Sequence, residues 1–231
     1  MASDSGHMQA DPNPAAHSSF QQNVSDVPRT RVYLVRHGAL VTSNEWRYVG
    51  QRDIELSEAG RTQIAELAVR LSAVPISAVY CSDLGRTVES ARLLSADHGL
   101  VPVACPEFRE IDIGHWEGMT LAEIMERFPD EFNMRTGNIA SFRIEGGESF
   151  ADVGARALPR LERIVVEHAG GTVLLVAHGG LNRTILCEAL GLDLNNVVRL
   201  EQSYACFNII DYFDDYPVVQ RMNETTCACY R

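Results

Sequence analysis

Lysine is absent from the chain, and all 20 basic residues among its 231 positions are arginine. Without lysine the sequence cannot supply the lysine of a P-loop, a Schiff-base amine or an attachment point for pyridoxal phosphate. Long apolar runs are also missing, so no segment is predicted to cross a bilayer, and the first residues lack the apolar core of a signal peptide.

Positive charge is scarce, and the formal net charge is −11. An acidic chain repels nucleic acid and anionic membrane surfaces, so we expect neither as a partner. An anionic substrate would need a local pocket of arginines. The 45% hydrophobic and 22% charged content is otherwise that of a globular protein.

Cysteine pairs with the spacing of a zinc site are absent, so no metal is predicted. The six cysteines are Cys81, Cys105, Cys187, Cys206, Cys227 and Cys229. Those at 81, 187 and 206 lie in apolar stretches typical of the core. We therefore expect a reduced, cytoplasmic protein.

Residues 1–28 are polar and rich in Ser, Pro, Asn and Gln. Gly6-His7-Met8 resembles the remnant of an expression tag, and the whole segment is predicted to be a disordered tail. No internal repeat follows. We expect residues 29–231 to form a single domain.

Strand-like and helix-like segments alternate from Arg31 onward. Strands are predicted at 31–36, 77–81, 101–104, 172–177, 204–211 and 217–221. Helices are predicted at 57–71, at 84–95, from Thr120, at 149–168 and between Gly180 and Gly191. This alternation predicts a three-layer α/β/α fold with a mostly parallel central sheet.

Polar residues follow three of these strands. Arg36-His37 comes after the first, Ser82-Asp83 after the second, and His178 after the strand at 172–177. Ligands bind at the carboxyl ends of strands in such sheets. We expect these residues to meet at one edge.

A histidine beside an arginine suits attack on a phosphoryl group, since the cation lowers the pKa of the imidazole and favours its nucleophilic form. This pattern occurs at Arg36-His37-Gly38, and a second strand ends at His178-Gly179-Gly180. Glycines there let backbone N–H groups approach an anion closely.

Arg86 falls in the first turn of a predicted helix, where a cation opposes the helix dipole unless an anion binds there. Ser82 or Asp83 is predicted to cap that helix. The irregular segment 108–118 offers Glu110, Asp112 and Glu117 as proton donors to a leaving group, and their spacing does not separate them.

Together these residues resemble the histidine phosphatase superfamily in its phosphoglycerate-mutase-like branch, and most resemble the α-ribazole and broad-specificity phosphatases. The resemblance runs from about Arg31 to about Asn223. The matching segments are 34–38, 50–60, 82–87, 109–111, 146–149 and 177–180.

The resemblance implies a phosphoglycerate-mutase-like fold and hydrolysis of a small phosphorylated metabolite without metal or cofactor. His37 would form a phosphohistidine and Glu110 would act as acid and base. The phosphoryl oxygens would be bound by Arg36, Arg86 and His178. The resemblance further implies substrate contacts from Gly38, Ser43, Asn44, Gly50, Gln51 and Gly179. Since the family's asparagine aligns near both Ser43 and Asn44, either one is a candidate for contacting phosphate.

Two alternatives remain at this level, a phosphoglycerate-type phosphomutase and a non-catalytic phospho-ligand binder. The short connection at 111–146 favours a phosphatase, because the mutases carry a long insertion there. Loop residues that could cover the pocket are Trp46, Arg47, Tyr48, Phe142 and Arg143, of which the two arginines would suit a second anionic group. Met134 and the apolar C-terminal strands leave room for a homodimer.

Overall fold

A computed structural model of the protein describes residues 27–45 and 47–226. The predictions for the tail at 1–26, for Trp46 and for Cys227 and Cys229 therefore lie outside the described residues. Every helix among residues 27–45 and 47–226 is too short or too polar to span a bilayer.

The described chain alternates strands and helices, as predicted. The strands are β1 Thr30–Arg36, β2 Ala78–Cys81, β3 Val103–Ala104, β4 Thr172–Ala177, β5 Phe207–Tyr212 and β6 Pro217–Glu224. The α-helices are α1 Glu58–Leu71, α2 Gly85–Ser95, α3 Leu121–Arg127, α4 Pro129–Gly137, α5 Phe150–Glu167 and α6 Gly179–Ala189. Short 3₁₀ turns occupy Ala96–His98, Pro106–Phe108, Gly114–Trp116 and Leu194–Arg199.

The strands form one six-stranded sheet in the order β3-β2-β4-β1-β5-β6. The pairs from β3 to β1 are parallel, and β5 and β6 join as antiparallel strands. The predicted α/β fold with a mostly parallel sheet is confirmed. Parallel pairing places the carboxyl ends of β1, β2 and β4 at the same edge.

Alternate residues of the central strands enter two separate cores, one on each face of the sheet. Val32 and Leu34 pack with apolar side chains of α5 and α6, whereas Tyr33 and Val35 pack with those of α1 and α2. This two-sided burial explains why the strand sequences are continuously apolar. It also makes β1 a rigid support for the residues that follow it.

Helix starts follow the predicted capping chemistry. Thr120 and Ser149 both form capping boxes with acidic residues three positions later, and the Ser57 side chain accepts the Gly60 N–H. At the far end of α6, Gly191 adopts a left-handed φ of 62°, as a glycine stop requires.

Several local predictions were wrong. Neither Ser82 nor Asp83 caps α2, because the Gly85 N–H donates to Asp53 Oδ1 at 2.9 Å, while Asp83 pairs with Arg109. The strand predicted at 101–104 shrinks to two residues, and β5 begins three residues later than predicted. Helix α4 was not predicted.

Candidate active site

Two imidazoles meet at the carboxyl edge of the sheet. His37 directly follows β1 and His178 directly follows β4, and these parallel strands pair Arg36 with Ala177 in register. The ring centroids lie 5.3 Å apart, with 64° between the ring planes. Both side chains are buried. The structure thus brings together residues that are 141 positions apart in the sequence (178 − 37).

Arg36 and Arg86 are each held by backbone carbonyls rather than by carboxylates. Arg36 Nη1 donates to the Gln202 carbonyl at 2.6 Å. Arg86 donates from Nη1 to the Arg52 carbonyl at 2.8 Å and from Nη2 to the Gly50 carbonyl at 2.6 Å. The Nε atom of each arginine is buried without an acceptor among the described residues. Each guanidinium therefore keeps a free donor.

The ring nitrogens of the two histidines differ in their partners. His37 Nδ1 lies 2.8 Å from the Gly38 carbonyl, which can only accept, so Nδ1 carries the proton and Nε2 keeps its lone pair. Both ring nitrogens of His178 are buried and unpaired within the described chain. One imidazole is thus arranged as a nucleophile and the other has capacity to bind a ligand oxygen.

Burial and neighbouring cations hold both imidazoles neutral. The pKa of His37 lies well below its ordinary value, mainly through loss of hydration and then through the charges of Arg86 and Arg36. The pKa of His178 is lowered in the same way, with burial again the largest cause and Arg86 the next. Neutral imidazole is the form that can attack phosphorus.

The Glu110 carboxylate lies against the first turn of α6. Its Oε2 accepts the Gly180 N–H at 2.9 Å, and its Oε1 accepts the N–H groups of Leu181 at 3.1 Å and Ile111 at 2.9 Å. A Cβ at position 180 would lie 2.5 Å from Oε1, so only glycine permits this approach. The Gly180 N–H lies two residues after His178 in the chain. The anion that this N–H approaches is therefore the carboxylate of Glu110, a group of the protein itself.

The other two candidate carboxylates of segment 108–118, Asp112 and Glu117, each accept a hydrogen bond from a backbone N–H group. Asp112 Oδ1 accepts the Gly114 N–H at 2.9 Å, and Glu117 accepts the Gly50 N–H at 3.0 Å. Burial raises the pKa of Glu117. Of the three candidates that the sequence left open, Glu110 is the one fixed at the start of α6.

The predicted substrate contacts have varied surroundings. Gln51 Nε2 donates to the Glu110 carbonyl at 3.1 Å, so this side chain supports the acid segment. A Cβ at position 38 would lie 2.4 Å from the Gly60 carbonyl, so close backbone packing already requires Gly38. Gly179 begins α6 beside the Arg36 guanidinium.

Ser43 and Asn44 lie in the turn at 41–45, where Ser43 is half-buried and Asn44 is exposed. Their contact with phosphate stays a prediction.

The loop arginines already have partners. Arg47 pairs with Glu45 and Glu123, and Arg143 pairs with Asp152 at 2.6 Å. These carboxylates neutralise the charges of Arg47 and Arg143. The hypothesis that the two arginines bind a second anionic group of the substrate is therefore disfavoured. Tyr48 and Phe142 pack against the core.

The sequence analysis did not include Tyr204 and Ala205, which lie just before β5, among the residues of the site. The Arg36 guanidinium lies 3.9 Å from the centroid of the Tyr204 ring, and that ring lies 5.7 Å from the His37 ring. Ala205 has a φ of 54°, and its N–H donates to the His37 carbonyl at 3.0 Å. Neither Tyr204 nor Ala205 belongs to a recognisable motif in the sequence, so only tertiary structure reveals their place beside His37.

Acidification from about pH 6.5 to pH 5.5 is expected to lower the free energy of unfolding. In this window unfolded imidazoles take up protons while folded His37 and His178, whose pKa values are lowered, stay neutral. The unfolded state then binds more protons than the folded state. The free energy of unfolding therefore decreases as the pH decreases, by up to about 1.4 kcal/mol per pH unit for each histidine. Urea unfolding at several pH values measures this slope, and His178→Gln should reduce it. A slope that is zero, or unchanged in the variant, would contradict the expectation.

Comparison with protein families identifies relatives of the whole described region. Residues 32–225 match the model of the histidine phosphatase superfamily, branch 1. Phosphoserine phosphatase 1 of Hydrogenobacter thermophilus is 31% identical over 195 residues, which cover 84% of this chain and 92% of that protein. The probable phosphoglycerate mutase GpmB of Yersinia pestis is 31% identical over 182 residues, covering 79% and 85%. The chain spans about half the length, 54%, of a bifunctional protein of Mycobacterium tuberculosis.

Solved structures share the fold. A mycobacterial glucosyl-3-phosphoglycerate phosphatase in complex with VO₃ superposes with a TM-score of 0.78 at 30% identity, covering 84% of this chain and 99% of that one. A putative α-ribazole-5′-P phosphatase of Escherichia coli gives a TM-score of 0.77 at 23% identity, covering 84% and 96%. At that identity the second similarity establishes the fold alone.

Proposed function

Since the chain belongs to branch 1 of the histidine phosphatase superfamily and is a phosphoric monoester hydrolase, we propose that His37 carries the phosphoryl group as a phosphohistidine. The family resemblance inferred from the sequence is confirmed. The proposal rests on one observation above all. Buried donors without acceptors, Arg36 Nε, Arg86 Nε and the His178 ring, surround an imidazole whose Nε2 keeps its lone pair.

In the first step His37 Nε2 attacks phosphorus, and the bond from phosphorus to the ester oxygen breaks. Glu110 gives its proton to the departing oxygen, which leaves as an alcohol. In the second step Glu110 takes a proton from water, the water oxygen bonds to phosphorus, and the P–N bond breaks. Inorganic phosphate is released and His37 is restored.

The two arginines supply the charge stabilisation. A phosphoryl dianion entering this acidic protein meets Arg36 and Arg86, neither of which is paired with a carboxylate. Donors fixed in a buried site stabilise charge that develops in the transition state, each by about 3–4 kcal/mol in known cases. We therefore propose a reaction that needs no metal ion.

The test is to trap the intermediate. We expect a ³²P-labelled monoester, mixed with the full chain in EDTA, to leave label on the protein that survives alkali and is lost in acid, as a P–N bond requires. Mass spectrometry should locate the label on His37. Label that is stable in acid, label on His178, or no label and no turnover in EDTA would each overturn the proposal.

A phosphomutase remains the second candidate, because a probable phosphoglycerate mutase is among the relatives. A mutase passes the phosphoryl group to a second hydroxyl instead of to water. Release of inorganic phosphate in equal amount to the alcohol supports the phosphatase, whereas phosphoryl transfer to added phosphoglycerate supports the mutase. A non-catalytic binder would give neither product.

We also propose a reducing, cytoplasmic setting. Its support is that Cys81, Cys105, Cys187 and Cys206 are all buried and free. The substrate proposed here is a small phosphorylated metabolite rather than nucleic acid or a membrane, given the net charge of −11. A homodimer stays a prediction, which light scattering of the purified protein checks.

A further inference from the structure

Arg156, on helix α5, bonds to the backbone that carries the proposed proton donor. Its Nη2 donates to the Glu110 carbonyl at 3.0 Å, and its Nη1 donates to the Glu107 carbonyl at 2.7 Å. Residues 109–113 have no regular secondary structure, so Glu110 is not fixed by a helix or strand of its own. Bonds from a neighbouring helix therefore hold this part of the chain.

Glu148 joins Arg156 to the other end of the same segment. The guanidinium donates to both carboxylate oxygens, from Nε to Oε1 at 2.8 Å and from Nη2 to Oε2 at 2.9 Å. Glu148 Oε2 also accepts the Asp112 N–H at 2.9 Å, and the Glu148 N–H donates to the Asp112 carbonyl at 2.7 Å. The Arg156–Glu148 pair thus bonds to the backbone from Glu107 to Asp112, and Glu110 lies between these two ends.

The Arg156–Glu148 pair is largely shielded from solvent. Only 21% and 22% of the two side chains are accessible. Burial alone would raise the pKa of Glu148, but the hydrogen bonds from Arg156 and from the Asp112 N–H outweigh burial and lower it. Exposed ion pairs contribute little, because both side chains must be ordered in a medium that screens them, whereas a shielded bidentate pair keeps its geometry. This pair is therefore suited to fixing a backbone position.

Glu110 is fixed at two points. Its carbonyl is held from α5, and its carboxylate is held by the Gly180 and Leu181 N–H groups of α6. A general acid must lie within about 2.6–3.2 Å of the oxygen that takes its proton, and a displacement of about 1 Å can cost about 10²-fold in rate. Without Arg156, Gln51 is the remaining donor to the Glu110 carbonyl among the described residues. The carboxyl group is then less precisely placed.

We propose that Arg156 and Glu148 are positioning residues, which together hold the Glu110 carboxyl within reach of the departing oxygen and of the attacking water. This inference rests on the proposed function and adds two residues to its acid and base steps. Neither side chain is assigned a contact with the substrate. Proton transfer by Glu110 should therefore depend on the pair, whereas attack of His37 on phosphorus should not.

The experiment compares two aromatic esters of similar size that differ in their need for a proton. Benzyl phosphate must leave as an alcohol, whereas nitrophenolate leaves from p-nitrophenyl phosphate unaided. In Arg156→Met we expect kcat for benzyl phosphate to fall about 10- to 100-fold, with KM within about threefold of wild type. The rate of nitrophenolate release in a single turnover, with protein in excess, should also stay within about threefold.

Arg156→Lys separates position from charge. This control is needed because burial and the charge of Arg86 lower the pKa of His178, and the charge of Arg156 adds to them. Lysine keeps the charge but cannot bond to two carbonyls and a carboxylate in the geometry of a guanidinium, so it should lose at least about fivefold on benzyl phosphate. Glu148→Gln keeps the shape of its side chain without the charge and should lose about 3- to 30-fold on benzyl phosphate alone.

Arg160→Met is the matched control variant. Arg160 lies one turn further along α5 and is also half-buried, and its Nη2 donates to Cys105 Sγ at 3.7 Å. Replacing it removes an arginine from the same side of the helix whose bond lies outside residues 107–112. Both esters should stay within about twofold of wild type.

Several results would overturn the inference. Equal losses on the two esters in Arg156→Met would show a general structural role, and unchanged rates would show no role. Full activity of Arg156→Lys on benzyl phosphate would assign the effect to charge near His178, and a matching loss in Arg160→Met would assign it to the helix as a whole. Should Arg156→Met fail to fold, Glu148→Gln decides, and equal losses on both esters there overturn the inference. Failure of the proposed function is distinguishable, because the wild-type protein would then form no phosphoenzyme on His37 with either ester.

Discussion

Replacing His37 with alanine is expected to lower kcat/KM for every phosphate monoester by at least about 10⁴-fold, since loss of a nucleophile costs up to about 10⁶ in comparable enzymes. The imidazole is buried and neutral, with Nδ1 directed at the Gly38 carbonyl. In the His178 ring, by contrast, no described partner fixes which nitrogen keeps the lone pair. Steady-state hydrolysis of p-nitrophenyl phosphate, with phosphoenzyme trapping, measures the effect.

His178 provides the matched control, because its ring lies only 5.3 Å away and is equally buried. Its proposed role is to donate to a phosphoryl oxygen, so His178→Ala should lose about 10²–10³-fold and still form a phosphoenzyme. If His37→Ala still forms a phosphoenzyme, or if His178→Ala loses more kcat/KM than His37→Ala does, then His178 is the nucleophile and His37 is the donor.

The meeting of these two rings could be predicted from the sequence. Apolar, β-branched runs lead directly into both histidines, and such runs indicate strands buried on both faces. Parallel strands of one sheet deliver the residues after them to one edge. The capping boxes at Thr120 and Ser149 were equally readable, since a capping box depends only on residues three positions apart.

Contacts between distant residues could not be predicted in this way. Asp83 resembles a helix cap in the local sequence, yet Arg109 from another segment pairs with it, and Asp53 from a third segment takes over the capping. The order of strands in the sheet and the antiparallel direction of β5 likewise depend on packing that a linear pattern does not encode. Local propensity cannot choose between a near and a distant partner.

Helix α4 illustrates a second limit. Its sequence begins with Pro129, which marks a turn in many contexts but also favours the first helical position, as found here. The helix carries few apolar residues, so periodicity gives little signal. The sequence analysis makes no prediction for Arg135, and only the structure shows that it is buried, with its guanidinium 5.8 Å from the Trp116 ring centroid and 5.4 Å from that of Phe150.

Glu110→Gln is expected to lower kcat for alkyl phosphates by about 10²–10⁴-fold, the usual contribution of a general acid. An alkoxide needs a proton to leave, and the amide cannot give one. Nitrophenolate leaves without a proton, so the variant should release one equivalent of it from p-nitrophenyl phosphate in a burst. Turnover should then be slow, because water attack also needs the base. Rapid-quench kinetics with both esters measures burst and turnover.

Glu110→Gln should also lower the free energy of unfolding, and this effect can be measured separately from the loss of activity. The carboxylate accepts three backbone N–H groups, from Ile111, Gly180 and Leu181, and a glutamine would turn an NH₂ donor towards at least one of them. We therefore expect a stability loss of about 1–3 kcal/mol beside the kinetic effect. Asp112→Asn makes the same chemical change two residues away, where Asp112 Oδ1 serves only the Gly114 N–H, and should leave both esters within about tenfold of wild type. If Asp112→Asn instead loses activity on alkyl phosphates alone, the proton donor is Asp112, and the carboxylate against α6 merely holds the helix.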